Sequence, residues 1–181
     1  MSKDSLLPLL ARHVLAHGLG QASLRPLARA AGTSDRMLIY HFGSKNALIA
    51  DLLSYLARAY AAALDAALGS ARARSRAEVI ARILAQGEVP EMQPYTALWW
   101  EIVAGCARGK PGFAPAAQAM IDELLDWLEG QMPADDPDPA GGARYLLTLI
   151  EGAMMLAAIG HGASARAGLD AGLLAGGRVP S

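Results

Sequence analysis

The chain holds a single cysteine, Cys106, so no internal disulfide can form, and a reduced, cytoplasmic setting is expected. Met1 onward lacks the charged stretch and apolar run of a secretory leader. The longest nearly apolar run, residues 145–160, is broken by Thr148 and Glu151 and is too short for a bilayer, so no membrane insertion is expected. Nowhere do apolar and polar residues alternate over a strand's length, which removes a sheet from consideration. Histidines and cysteine do not recur at metal-ligand spacing, and no nucleophile motif or glycine-rich phosphate loop is present. His13 and His17 are the one histidine pair at i, i+4, and they have no third ligand in view. An enzyme is therefore not expected, and no metal or cofactor is implied.

What is present is apolar helix-forming material. The 181 residues are 53% hydrophobic and only 18% charged, which suffices for a sizeable core and sits near the border between one domain and two. The net charge of −1 conceals an asymmetry. Residues 1–50 carry six Lys/Arg against two Asp/Glu, whereas residues 51–181 carry ten against fifteen. A basic end on an acidic body suits contact with a polyanion, the alternative being chance clustering.

Periodicity predicts about nine helices. The first covers residues 5–17, with Ser5 as its cap and Pro8 tolerated near its start. Ser23 caps a second helix that stops at Gly32, and Ser34 a third that reaches Phe42. Ser44 opens a long fourth helix ending near Leu68, with Leu48, Leu52 and Leu56 in its stripe. Ser75 and Glu78 form a capping box for the fifth. The sixth, residues 94–107, is apolar nearly all round and is expected to be central and buried. A seventh (114–131), an eighth (140–159) and a weaker ninth (164–174) follow, and residues 176–181 are expected to fray.

The strongest signal lies in residues 23–45. Two short helices joined through Ala31, Gly32 and Thr33 have helix-turn-helix spacing, in which the second helix enters the major groove of DNA. If Leu38 and Phe42 anchor inward, Arg36 and Tyr40 point outward, flanked by Asp35, Met37 and Ile39. Arg36 suits guanine, Asp35 the amino group of cytosine, and Met37 a thymine methyl. Lys45 opposes the dipole of its own helix, yet beside free backbone N–H groups it makes a phosphate site. Ser44, Tyr40 and His41 are near enough to join it. The plainer alternatives are a solvated Lys45 and a His41 packed between helices.

Residues 23–48, above all Ala31-Gly32-Thr33-Ser34, Leu38, Tyr40-His41-Phe42-Gly43-Ser44-Lys45 and Leu48, resemble the DNA-binding region of TetR-family transcriptional regulators. The likeness extends to about residues 5–55, and beyond that only the pattern of helices is similar. The resemblance implies an all-α protein: a three-helix helix-turn-helix domain at residues 1–46, then a helical ligand-binding and dimerisation domain at residues 47–181. It implies a homodimer on a palindromic double-stranded operator, acting as a repressor released by a small molecule. By position, Asp35, Arg36 and Met37 fall where the family reads bases, and Ile39, Tyr40, His41 and Lys45 where it meets the backbone; Ser34, which caps the same helix, is counted with the DNA-binding residues. Two departures stand out. Ile39 replaces a tyrosine common in the family, and before the first helix only Lys3 is cationic.

In the sensor half, Tyr95, Trp99, Trp100, Phe113, Met120 and Trp127 would suit a largely apolar effector, although aromatics and methionines at helical spacing also build ordinary core. Glu101 and Glu151 stand in apolar surroundings and are the polar candidates for orienting a ligand. Each is alternatively exposed, or paired with an arginine such as Arg108 or Arg144. The eighth helix is apolar on more sides than one neighbour covers, so it and the ninth are expected to form a twofold homodimer interface. The competing reading is a small-molecule or lipid carrier that keeps the helical fold without binding DNA; the cations Arg36 and Lys45 count against it.

Overall fold

A computed structural model of the chain describes residues 2–69 and 71–175; residues 176–181, expected to fray, lie outside the described part. Among the described residues are nine α-helices, two short 3-10 turns and no strand. The helices are α1 (Lys3–His17), α2 (Leu24–Ala30), α3 (Asp35–Phe42), α4 (Lys45–Leu68), α5 (Arg76–Gly87), α6 (Gln93–Ala107), α7 (Phe113–Gln131), α8 (Pro139–Ala158) and α9 (Gly162–Ala175). The turns, Leu19–Gln21 and Pro90–Met92, precede α2 and α6.

Local chemistry sets most of these ends. Ser34 Oγ accepts the N–H of Met37 at 3.3 Å and Ser44 Oγ that of Ala47 at 3.1 Å, satisfying donors that the first turns of α3 and α4 leave free. Helix α1 begins earlier than the sequence suggests. Ser2 is its cap and Ser5 the third helical residue, because the two close a reciprocal box: Ser5 N–H donates to Ser2 Oγ and Ser2 N–H to Ser5 Oγ. Pro8 is therefore the sixth helical residue, inside the helix and not in its first turn, and it leaves Asp4 O without the amide that any other residue would donate. At α5 the expected box is half formed. Ser75 Oγ accepts from Glu78 N–H, but the Glu78 carboxylate turns to Arg74 N–H, 2.8 Å away, and to Arg82.

The chain divides into two compact units, the first comprising the chain up to Ala63 with Val89–Leu124, the second Leu64–Glu88 with the chain from Leu125 onward. In the first, α1 packs on α2 and α6, and α2 on α3. Leu6, Leu10, Leu27, Leu38, Leu48, Leu52, Leu53 and Ile102 are wholly buried in one cluster there. Each such leucine contributes about 1.5–3 kcal/mol of burial, and this cluster fixes the short helices α2 and α3, which are too short to persist alone. In the second unit α8 packs on α5 and α9, and Leu64, Ile80, Leu128, Leu146 and Ile150 are buried.

Helix α6 corrects an expectation. Leu98, Ile102 and Gly105 are buried, but Val103 is 39% exposed and Glu101 is exposed, so the helix is covered on one side rather than all round. By length and composition one described helix, α4, is apolar enough to cross a membrane, with mean hydropathy 1.4 in its most apolar window. Core helices pass the same test, and the α4 residues Leu48, Leu52, Leu53 and Leu56 are covered by protein.

Candidate nucleic-acid interface

The turn between α2 and α3 is closed by backbone alone. Ala31 N–H donates to Leu27 O at 3.0 Å, Gly32 N–H to Arg29 O at 3.1 Å, and Thr33 N–H to Ala28 O at 2.9 Å. Gly32 has φ of +63°, a conformation that a side chain resists, which explains glycine at this point. Helix α3 then leaves the turn with Leu38 and Phe42 buried, four residues apart. At 100° per residue, Arg36, Met37 and Tyr40 occupy the opposite arc. They are exposed, Tyr40 to 77% and Met37 to 40%. Asp35 is exposed in the first turn, where a carboxylate suits the helix dipole. The arrangement offers a cation, a carboxylate, a thioether and a phenol from one short, firmly anchored helix, as direct reading of base edges requires.

The flanking candidates differ in availability. Lys45 is exposed at the first position of α4. Ser34 is exposed, with its hydroxyl engaged in capping α3. Ile39 is half-buried. His41 is half-buried too; its ring stands edge-on to Tyr40 at 5.3 Å, and its Nε2 is buried with no hydrogen-bond partner among the described residues. Lys3 is tied down inside the first unit, 2.7 Å from Asp51 and 5.2 Å from the centre of the Phe42 ring.

The sensor candidates are not gathered into one unit. Tyr95, Trp99, Trp100, Glu101, Phe113 and Met120 lie in the first, and Trp127 and Glu151 in the second. Tyr95 is half-buried with its ring 5.5 Å from that of Tyr60, and burial, then the nearby Tyr55, raises its phenol above the usual range. Trp99 and Met120 pack against the core cluster, and Phe113 fills the space over Gly105 that a Cβ would need. Trp100 is half-buried, its Nε1 buried without a partner among the described residues. Glu101 has a structural partner: its Oε2 accepts Leu19 N–H at 2.8 Å, and its carboxylate presses on Gly18. Trp127 Nε1 donates to Asp65 at 2.7 Å. Glu151 is half-buried on α8. An open groove of about 490 Å³ in the second unit, edged by Arg72, Asp126 and Glu129, takes in none of the eight.

Residues that the sequence reading passes over are Tyr55 and Tyr60 of α4, next to Tyr95, and Glu123 of α7. The Glu123 Oε1 accepts from Arg58 at 3.1 Å, while its Oε2 is buried with no partner among the described residues. The tyrosines lie on a helix whose leucine stripe is the stronger pattern in the sequence. His13 and His17 stack at 4.5 Å, and burial, then the charge of His17, lowers the pKa of His13. Among the described residues no group of three or more His, Cys, Asp or Glu stands close enough to hold a metal.

Residues 10–52 match the family described as bacterial regulatory proteins, tetR family. No curated protein sequence matches the chain. Among solved structures, a transcriptional regulator from Rhodococcus sp. Rha1 is similar over 99% of this chain and 100% of its own, with 21% identity and a TM-score of 0.68. A TetR transcription regulator from Haloarcula marismortui is similar over 92% and 93%, with 18% identity and a TM-score of 0.64. The multidrug binding protein EbrR, in complex with proflavin, is similar over 93% and 97%, with 20% identity and a TM-score of 0.65. Residues 10–52 are thus similar to the N-terminal region of the tetR family, and along its length the chain has the all-helical fold of the solved regulators.

Proposed function

We propose that the protein is a ligand-responsive repressor, a cytoplasmic homodimer that binds a palindromic operator and is released by a small, largely apolar molecule. The observation that carries this reading is the exposed arc of Arg36, Met37 and Tyr40 on α3, with Leu38 and Phe42 anchored beneath it. In this reading residues 1–46 contact DNA: Asp35, Arg36 and Met37 meet base edges, and Ser34, Ile39, Tyr40, His41 and Lys45 lie along the backbone. Residues 47–181 bind the effector and hold the dimer, and no catalysis is part of the role.

The dimer reading is supported by α8. Tyr145, Thr148, Gly152 and Met155 recur at steps of three and four and so fall on one stripe, with Ile159 at the cap that ends the helix. Tyr145, Met155 and Ile159 are 48%, 51% and 66% exposed, with glycine between them allowing close approach. The effector reading rests on Tyr95, Trp99, Trp100, Phe113 and Met120 of the first unit, with Tyr55 and Tyr60 added; Glu101 serves the Leu19 joint, and Trp127 and Glu151 belong to the second unit. Because EbrR is known in complex with proflavin, that dye is the first compound to try. A gel shift with the DNA flanking the protein's own gene tests the DNA-binding part of this reading. A shifted band that a mixed-sequence competitor fails to remove supports it, and a band that any duplex removes equally refutes it.

A further inference from the structure

The loop joining α6 to α7, residues 108–112, carries two cations that the reading above leaves unused. Arg108 and Lys110 are both exposed, and among the described residues neither enters an ion pair. The loop is firmly placed. Gly109 N–H donates to Cys106 O at 2.9 Å and Lys110 N–H to Gly105 O at 3.0 Å, closing the end of α6. Phe113 is packed on Gly105, and Lys110 Nζ lies 5.5 Å from the centre of the Phe113 ring.

The far end of this loop reaches the start of α4. A Cβ built on Gly112 would lie 4.0 Å from Cγ of Asn46, the neighbour of Lys45. Lys45, Asn46 and residues 108–112 are all exposed on the first unit. The sequence keeps this region free of acid: no Asp or Glu stands between Asp35 and Asp51, nor between Glu101 and Asp122. The loop that carries Arg108 and Lys110 thus meets the helix start that carries Lys45, with no carboxylate from either segment. A role confined to α6 is the plain competitor, since cations at a helix C-terminus offset its dipole. That role needs no proximity to Lys45.

We infer that Arg108 and Lys110 are a second set of phosphate contacts, extending the surface that Lys45 begins along the same duplex. The inference rests on the reading of α3 and Lys45 as the DNA face. Phosphate contacts demand charge and reach rather than exact geometry, and they set orientation and salt dependence rather than sequence preference.

The chain has only three lysines, Lys3, Lys45 and Lys110, which makes a chemical footprint easy to read. Full-length protein is reductively methylated with and without a mixed-sequence duplex of about three helical turns at low salt, and each lysine is followed by mass spectrometry. Slower methylation of both Lys45 and Lys110 on DNA is expected. Slowing at Lys45 with no change at Lys110 overturns the inference alone. No slowing at either overturns the DNA face as well.

A second arm measures the slope of log affinity against log salt on the same duplex. Replacing Arg108 and Lys110 by alanine is expected to flatten it by roughly two units. Replacing Arg72 and Arg74, the same charge in the second unit, is expected to leave it unchanged. Equal flattening by both pairs would mean a net-charge effect and would overturn the inference. The footprint uses the unaltered chain, so it decides the matter even if a variant folds poorly.

Discussion

The ion pair between Arg76 and Asp136 gives the sharpest stability prediction. Arg76 opens α5, and Asp136 lies 60 residues on, in the loop before α8. Arg76 Nε donates to Asp136 Oδ2 at 2.7 Å, and its second nitrogen to Oδ1 at 2.6 Å and to Asp138 O at 2.9 Å. Asp138 N–H completes the carboxylate's shell at 2.9 Å, and Asp138 in turn caps α8 through Gly141 N–H. The Asp136 side chain is 3% exposed and that of Arg76 34%. Arg76→Ala leaves a buried carboxylate with one donor. Breaking a buried pair costs about 3–5 kcal/mol, and the solvent access at Arg76 places this case near 3 kcal/mol. In a chain of this size that lowers Tm by roughly 6–12 °C.

The sign with pH follows from the direction of the pKa. The hydrogen bond from Arg76, above all, holds the Asp136 carboxyl below its ordinary value. Below that ordinary value, near 4, the unfolded chain takes up the proton first. The pair's contribution is therefore complete above about pH 4 and is lost as pH falls toward the lowered folded value. Thermal unfolding followed by circular dichroism, at one protein concentration, is the assay. The deficit of Arg76→Ala relative to the native chain should be large at neutral pH and shrink in acid. A deficit under about 1 kcal/mol at neutral pH, against the 3 expected, or one unchanged in acid, would refute the reasoning.

Arg36→Ala should relax preference at one base position at a cost of about 1–3 kcal/mol. Lys45→Ala should instead weaken every sequence alike and flatten the salt slope by about one unit. Affinities on a set of singly substituted duplexes separate the two patterns, and equal loss everywhere for both variants would contradict the division of roles. Glu101→Ala should free the Leu19 amide, cost about 1 kcal/mol, and speed hydrogen exchange at Leu19, whereas Glu101→Gln should largely preserve protection. Native exchange at Leu19 in the alanine variant would show that the bond is dispensable.

Local chemistry is where the sequence was most informative. Ser34 and Gly32 act on neighbours within a few positions, and Leu38 and Phe42 keep helical spacing, so the helix-turn-helix could be written down from their order alone. The start of α1 is at Ser2 and not at Ser5 because both suit a cap and the reciprocal bond between them decides. At α5 a backbone amide one residue upstream, Arg74, competes for Glu78. Helix α6 reads as buried from its composition, but how much of a helix is covered depends on which elements reach it, and Val103 is left open. Contacts distant in sequence left no trace in it. Glu101 meets Leu19 across 82 positions, and Asp136 meets Arg76 across 60. The aromatic candidates suffered likewise, since helical spacing alone does not say which unit a side chain joins.

The central claim is that α3 reads a specific DNA sequence on behalf of a twofold dimer. One titration tests it most directly: full-length protein against labelled DNA flanking its own gene, and against a mixed-sequence duplex of equal length, at near-physiological salt with the stoichiometry recorded. The account predicts that the flanking DNA binds about a thousandfold tighter or more, with at least two chains per site. Equal affinity for both duplexes, or a single chain saturating the site, would contradict it.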